Sequence, residues 1–310
     1  MPIKALFYKM IIDSVIQTAK EIIQARMGEQ VDVKRTASVG GGCINDAHRL
    51  DTNLGSFFVK YNHAARYPGM FEAEAKGLAL MASEPVEGSP KPLDVPRVVG
   101  HNEAGGYGML VLEYIESGTQ RSDFWEAFGS GLARLHQRKP ESGMFGLDHD
   151  NYIGSLTQRN REYDNWIDFF VSQRLDPQIK LARDEGKAAP DLTNMFARLY
   201  NHLGDFFPEE PPALLHGDLW SGNYMTGNQG QAVILDPAVY YGHRYMDLGM
   251  SQLFGGFNPT FYRAYQETYP MERTWQKSMD IANLYPLMVH VNLFGGGYLG
   301  SVKSILKRFG

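Results

Sequence analysis

The residues best suited to chemistry lie in one polar string and at the end of the apolar segment that follows it. The string reads HGDLWSGN from His216 to Asn223, and the apolar residues 232–235 precede Asp236. Asp218 and Asn223 are five positions apart, as in the H-x-D-x-x-x-x-N loop of phosphoryl-transfer enzymes. In that reaction a carboxylate orients the acceptor hydroxyl and takes its proton, while hard oxygen ligands bind the magnesium that accompanies the nucleotide. We therefore predict that Asp218 is the catalytic base and that Asn223 and Asp236 bind Mg²⁺.

Each of these residues also has a simpler structural explanation when it is taken alone. Asp218 and Asn223 are typical turn-capping residues in a loop rich in Gly, Ser and Asn. A single match of this kind would not distinguish catalysis from capping. The complete string, its spacing and the strand-like segment that ends at Asp236 together favour the catalytic interpretation.

Upstream residues follow the order expected of a site for nucleotide phosphates. Three consecutive glycines lie between predicted strands, namely Gly40, Gly41 and Gly42. Without Cβ atoms, their backbone N–H groups can approach phosphates, although such a run is more often a plain hairpin turn. Lys60 closes a predicted strand and can bind phosphate, and Glu74 on the next predicted helix can pair with it, with Glu72 as the rival partner. Taken alone, these are an ordinary strand-end lysine and solvent-exposed helix residues.

A further predicted strand, residues 109–115, leads towards the expected boundary between two lobes. We predict that the backbone of Glu113, Tyr114 and Ile115 hydrogen-bonds the adenine of ATP. A plain buried strand is the alternative, and it is compatible with the same fold.

Periodicity predicts an α+β chain whose elements change character near residues 115–120. The expected strands cover residues 36–39, 56–61, 95–99 and 108–115, and the expected helices cover 11–27, 70–82, 124–137, 163–181 and 192–207. The strands fall before the change and most helices after it. We therefore predict two domains, an antiparallel-sheet N-lobe over residues 1–116 and a mainly helical C-lobe over 117–310.

Composition narrows the possible partners and compartment. The chain has 310 residues, is 43% hydrophobic and carries a formal net charge of −5, so it can bury a sizeable core but has no broad attraction to nucleic acid or anionic lipid. Its single cysteine, Cys43, allows no internal disulfide and indicates a reducing cytoplasm. Lys4, Lys9 and Asp13 interrupt the apolar start of the chain, so we expect an amphipathic helix there and not a signal peptide.

Several longer strings resemble the fructosamine kinase family, also called ketosamine 3-kinases. They are HGDLWSGN, GGGCIND at 40–46, MFEAEAKGL at 70–78, FGLDHDNYIGSLTQ at 145–158 and YYGHRYMDLGMSQLFGGF at 240–257. Together they extend over nearly the whole chain. The resemblance implies a two-lobed protein-kinase-like fold, related to aminoglycoside and choline kinases, with ATP and Mg²⁺ as cofactors. It also implies phosphorylation of the sugar 3-hydroxyl of ketosamines, as small molecules or on glycated proteins, which makes the adduct unstable and leads to deglycation.

The same resemblance draws attention to residues outside the core motifs. Trp220, beside the catalytic aspartate, could pack against the sugar or its amine substituent, or belong to the core. His290 could touch the acceptor or be a satisfied helical histidine. Asp247 matches an aspartate that braces the catalytic loop. Cys43, beside the glycines, could act as a redox switch or be a small buried residue.

Two other functions stay open at the level of sequence. A kinase of the same fold acting on another hydroxylated amine, such as an aminoglycoside or choline, would share every ATP-binding motif. A nucleotide-binding scaffold without catalysis is disfavoured because none of the expected catalytic or metal-binding residues is missing. The sequence does not specify the oligomeric state.

Overall fold

The computed structural model describes residues 3–40, 44–82, 93–273 and 275–310, and the chain divides into two compact units. The first unit comprises Met1–Ser83 and Val95–Ser117, and the second comprises Glu84–Asp94 and Gly118–Gly310. Gly41, Gly42 and Cys43 lie outside the described residues. Within the described part of the chain, no helix has the length and apolar character required to cross a membrane.

The first unit contains one five-stranded antiparallel sheet and two helices. Its elements are α1 (Ile3–Met27), β1 (Val33–Val39), β2 (Asp46–Thr52), β3 (Gly55–His63), α2 (Met70–Ala82), β4 (Val98–Ala104) and β5 (Tyr107–Glu113). The strand order is β1-β2-β3-β5-β4, and every neighbouring pair is antiparallel. This is the sheet that the sequence predicts for the N-lobe.

Alternating side chains of β5 explain why the two helices lie on opposite faces of this sheet. Met109 and Val111 join a buried cluster with residues of α1 such as Ala19. Leu110 and Leu112 join a second cluster with residues of α2. Because successive strand residues point to opposite faces, each helix buries one half of the strand.

The second unit is mainly helical and contains three short antiparallel strand pairs. Its helices are α3 (Phe124–His136), α4 (Trp166–Phe169), α5 (Asp176–Asp184), α6 (Asp191–Tyr200), α7 (Tyr245–Met250), α8 (Pro259–Thr268), α9 (Trp275–Ala282), α10 (Leu284–Phe294) and α11 (Leu299–Phe309). Its strands are β6 (Asn151–Ile153), β7 (Leu156–Gln158), β8 (Ala213–Leu215), β9 (Tyr224–Thr226), β10 (Ala232–Ile234) and β11 (Tyr240–Gly242). Short 3-10 helices cover Leu203–Asp205 and Gly296–Tyr298, and a π-helical turn covers Phe170–Leu175.

The core of the second unit is formed where α3 packs against α8. Phe128 of α3 is fully buried, and its ring lies 5.1 Å from that of Phe261 in α8. A Cβ on Gly129 would lie 2.1 Å from the carbonyl oxygen of Phe261, so only glycine permits this close helix approach. The strands β8 and β10 also contact α3.

Several element boundaries differ from the sequence prediction for identifiable reasons. The predicted strand 95–99 is observed as β4 from Val98, because Pro96 has no N–H to contribute to the ladder. The predicted helix 163–181 begins at Trp166, where the side chain of Asn165 caps the first turn by accepting from Ile167 N over 2.8 Å. The predicted helix 192–207 ends at Tyr200 and is followed by the 3-10 turn.

Candidate active site

The predicted catalytic loop, residues 216–223, is held at both ends by short strand pairs of the second unit. β8 enters the loop and pairs with β11, and β9 leaves it and pairs with β10. Just after β10, the N–H of Leu235 donates to the carbonyl oxygen of Asn223 over 2.9 Å. The segment that carries Asp236 is therefore attached directly to the end of the loop.

Gly217 allows the backbone to turn sharply before Asp218. Its φ is +83°, and a Cβ there would lie 2.0 Å from the carbonyl oxygen of Ala238. Any other residue would have to displace that backbone, so the glycine in the motif is required by geometry. The N–H of Ala238 in turn donates to the carbonyl oxygen of His216 over 2.9 Å.

The carboxylate of Asp218 is positioned by hydrogen bonds from within the loop. Nδ2 of Asn223 donates to the Asp218 carbonyl oxygen over 2.9 Å and to Oδ2 over 3.0 Å. The Asp218 N–H donates to Nδ1 of His216 over 3.2 Å, and Nε2 of that ring donates to the carbonyl oxygen of Leu235 over 2.8 Å. The predicted base is thus held in one place before any substrate binds.

The surroundings of Asp218 also make it a better proton acceptor than an ordinary aspartate. Burial raises the pKa of Asp218 to about 7, and although the hydrogen bond from Asn223 opposes this rise, the negative charges of Asp236 and Asp247 add to it. A general base with a pKa near the working pH combines proton affinity with availability of the ionised form.

The carboxylate of Asp247 binds the backbone at the start of the loop. Its Oδ2 and Oδ1 accept from the N–H groups of His216 and Gly217 over 2.7 and 2.8 Å. Nε2 of His136 also donates to Oδ2 over 3.1 Å, and Nδ1 of that ring accepts from the Tyr265 hydroxyl over 2.8 Å. Burial alone would raise the pKa of Asp247, but the hydrogen bonds from His136 and from the Gly217 N–H hold it below its usual value. These are the contacts of the brace predicted from the sequence.

Asn223 and Asp236 have the donor chemistry that Mg²⁺ requires. Because the amide nitrogen of Asn223 faces Asp218, its amide oxygen points away from that carboxylate. Asp236 lies two residues after the end of β10, in a left-handed backbone conformation with φ of 54°. In the described residues no three His, Cys, Asp or Glu side chains form a metal-binding group. Two oxygen ligands nevertheless fit Mg²⁺, which commonly takes one or two carboxylates together with substrate phosphates.

In the first unit, the predicted pairing of Lys60 with Glu74 is formed. Lys60 lies opposite Leu110 in the sheet, so it points to the face covered by α2. Its Nζ lies 2.8 Å and 3.1 Å from the two carboxylate oxygens of Glu74, and both side chains are almost entirely buried. The rival, Glu72, is instead half exposed and pairs with Lys76 over 2.7 Å.

The other residues predicted to bind nucleotide are the glycines that follow β1 and the segment that follows β5, and the structure describes only some of them. Gly40 follows β1, whereas Gly41 and Gly42 lie outside the described residues. The N–H of Glu113 donates to the carbonyl oxygen of Arg97 over 3.0 Å, and that of Tyr114 donates to Ser56 over 3.1 Å. Because these two N–H groups already donate to other backbone carbonyls, they are not expected to donate to adenine. The groups left for the predicted adenine contact are the backbone of Ile115 and the carbonyl oxygens of Glu113 and Tyr114.

Trp220 and His290 are brought together in the second unit by a residue that sequence reasoning missed. The ring of Phe254 lies 6.0 Å from that of Trp220 and 4.8 Å from that of His290. Phe294 and Tyr298 also contact His290, with ring centroids 5.4 and 4.9 Å away. A signal was present, since each phenylalanine directly precedes two glycines, a pattern that places a ring at a backbone turn.

Comparison with known proteins identifies the family. The fructosamine kinase family model matches residues 15–309. The chain belongs to the fructosamine kinase family. As such it is a phosphotransferase, and the resemblance noted in its motifs is confirmed.

Relatives of this fructosamine kinase family member match it along almost their whole length. A probable ketoamine kinase of Synechocystis sp. is 41% identical, with 94% of this chain and 96% of that protein covered. The chloroplastic protein-ribulosamine 3-kinase of Arabidopsis thaliana is 40% identical, with 91% and 84% covered. A crystal structure named "putative fructosamine-3-kinase" from Thermobifida fusca is 31% identical, with a TM-score of 0.81 over 93% of this chain and 96% of that one. The kinase-like α+β fold predicted from the sequence is thereby confirmed.

Proposed function

We propose that this protein uses ATP and Mg²⁺ to phosphorylate the sugar 3-hydroxyl of ketosamines, with Asp218 as the catalytic base. The observation that carries the proposal is the catalytic loop. Asn223 orients the Asp218 carboxylate over 3.0 Å, and Asp247 anchors the loop backbone by accepting from the N–H groups of His216 and Gly217. Family membership directs this chemistry to a fructosamine or ribulosamine.

The mechanism follows from the positions of the side chains in each unit. Asp218 would accept a hydrogen bond from the sugar hydroxyl, orient it for in-line attack on the γ-phosphorus and take its proton. Asn223 and Asp236 would hold the metal through their side-chain oxygens. Bound Mg²⁺ supplies positive charge that offsets the charge on the transferring phosphoryl group.

In the first unit, Lys60 is the residue proposed to hold the nucleotide phosphates. Its ion pair with Glu74 fixes the ammonium group at the sheet face covered by α2. Gly40, Gly41 and Gly42 would present backbone N–H groups to the same phosphates. The backbone of Ile115 and the carbonyl oxygens of Glu113 and Tyr114 are the positions proposed for adenine.

The proposed acceptor is a ketosamine, free or attached to a protein side chain. Two named relatives, a ketoamine kinase and a protein-ribulosamine 3-kinase, support this substrate class. Trp220 and His290 belong to one aromatic group beside the catalytic loop, which supports a role for both in holding the acceptor. Phosphorylation at the 3-hydroxyl would give the protein a role in deglycation. The reducing cytoplasm predicted from the single cysteine suits such a role.

The proposal is tested by ATP consumption with a panel of acceptors, namely a fructosamine, a ribulosamine, an aminoglycoside and choline. Each is assayed with and without Mg²⁺, and with Asp218→Asn, which keeps the shape of the side chain but removes the base. We expect turnover on the ketosamines alone, at least about 100-fold lower in Asp218→Asn, because general-base catalysis contributes that much. Asp164→Ala, at an exposed aspartate, is the matched control and should retain full activity.

Two outcomes would contradict the proposal. Turnover on only the aminoglycoside or choline would keep the mechanism but replace the substrate. ATP binding without turnover of any acceptor would indicate a nucleotide-binding scaffold.

A further inference from the structure

Five aromatic side chains of the second unit form a continuous group that begins in the catalytic loop. We call this group the aromatic wall; it consists of Trp220, Phe254, His290, Phe294 and Tyr298. Neighbouring rings lie between 4.8 and 6.5 Å apart. Trp220 is two positions from Asp218, so the wall starts beside the predicted base.

The wall is not part of the hydrophobic core. Phe254 is 38% exposed and Phe294 is 56% exposed, whereas the core residue Phe128 is fully buried. Among the described residues only four large apolar side chains are exposed, and two of them are in the wall. Burial of apolar area on folding therefore does not explain why these rings lie together. Contact with a ligand would explain it.

The backbone at Phe254 points to the same conclusion. Its φ is 55°, and Asp236 is the only other non-glycine residue of the described chain with a positive φ. A side chain in this region is strained, so such residues persist where the surroundings impose them, often at functional sites. The Ser221 hydroxyl makes a long contact of 3.4 Å with the Phe254 carbonyl oxygen, linking this residue to the catalytic loop.

His290 adds a hydrogen-bond acceptor to the wall. Its Nδ1 lies 2.7 Å from the carbonyl oxygen of Pro286, which can only accept, so Nδ1 must carry the proton. Burial lowers the pKa of His290, and the ring is therefore neutral near pH 7. In that tautomer Nε2 has a lone pair that can accept from an N–H group.

We propose that the aromatic wall binds the protonated secondary amine of the ketosamine, with Phe254 as the residue that determines selectivity for a cationic acceptor. This inference rests on the proposed function. In a ketosamine the amine nitrogen is attached close to the hydroxyl that is phosphorylated, so it must lie near Asp218 when that hydroxyl does. The faces of aromatic rings attract cations, and the neutral imidazole supplies an acceptor for an ammonium N–H.

The competing explanation is that the wall packs only against the apolar part of the substituent on the amine. That contact would depend on the volume of the Phe254 side chain and not on its π face. It would also be insensitive to the charge on the nitrogen. The two explanations therefore differ in what a leucine at this position would do.

The experiment compares two acceptors that differ in one group, an N-alkyl fructosamine and the corresponding 1-O-alkyl fructose. Both are assayed with the wild type, Phe254→Leu and Phe254→Tyr. Leucine keeps apolar bulk and the same backbone strain but has no π face, whereas tyrosine keeps the ring. We expect wild type and Phe254→Tyr to favour the amine, and Phe254→Leu to lose about tenfold in kcat/KM for the amine, mainly through KM, with a much smaller loss for the ether, so that its preference for the amine disappears.

The results separate this inference from the proposed function. Equal turnover of amine and ether by the wild type, or a Phe254→Leu enzyme as selective as the wild type, would overturn the role of the wall while leaving ketosamine kinase activity intact. No turnover of either compound by the wild type would overturn the proposed function and this inference together. Since Phe254 is partly exposed, thermal unfolding of the variants should match the wild type.

Discussion

Replacing Asp247 with alanine should destabilise the protein strongly, because three donors lose their acceptor at once. His216 N, Gly217 N and His136 Nε2 lie 2.7, 2.8 and 3.1 Å from its carboxylate, and the Asp247 side chain is 1% exposed. Leaving a buried donor unsatisfied costs about 1–3 kcal/mol. Three such donors imply a loss of roughly 3 kcal/mol or more, a large share of a typical unfolding free energy of about 5–15 kcal/mol.

The assay is urea unfolding of the wild type, Asp247→Ala, Asp247→Asn and the exposed control Asp164→Ala. Asparagine keeps one acceptor oxygen, so its loss should be smaller than that of alanine, and the control should change by less than about 0.5 kcal/mol. Activity should fall in both Asp247 variants even at temperatures where they are folded, because the loop carrying Asp218 loses its anchor. A loss below about 1 kcal/mol for Asp247→Ala would refute the reasoning.

Two further predictions concern buried charge and pH. Glu74→Gln removes the carboxylate charge that lies 2.8 Å from the buried ammonium of Lys60, so it should cost about 3–5 kcal/mol of stability and raise the KM for ATP. The control is Glu72→Gln at the exposed glutamate of the same helix, which should change stability by less than about 0.5 kcal/mol. Equal losses of stability in the two variants would contradict the assignment of Glu74 as the partner of Lys60. Burial lowers the pKa of His243 to about 4, so the folded state takes up its proton later than the unfolded state as the pH falls. The free energy of unfolding should therefore stay constant above pH 6.5 and fall by roughly 3 kcal/mol between pH 6.5 and pH 4. A His243→Gln variant whose unfolding free energy falls equally steeply with pH would show that His243 is not the cause.

The sequence was most informative where the predicted catalytic residues lie within one short segment. Asp218 and Asn223 are close in sequence, and the hydrogen bond between them needs only the local turn at Gly217. Lys60 and Glu74 were also paired correctly, because a strand followed by a helix on its face limits which side chains can meet. Family motifs then identified the class of enzyme.

What the sequence did not provide depends on contacts between distant segments. His136 meets Asp247 across 111 positions, and no local pattern indicates that contact. Likewise, Phe254 and His290 come together only because separate segments fold onto one another. The adenine prediction was incomplete for a related reason, since the pairing partners of Glu113 and Tyr114 are set by the order of strands in the sheet.

The left-handed backbone at Asp236 and Phe254 has a consequence for laboratory evolution. Glycine at either position would relieve strain of about 1 kcal/mol, while removing a proposed metal ligand or the centre of the aromatic wall. A library screened for heat resistance alone would therefore enrich substitutions at these two positions and lose activity as it gained melting temperature. Screening for turnover in the same round would keep Asp236 and Phe254, so this gain in stability is closed as long as the reaction is under selection.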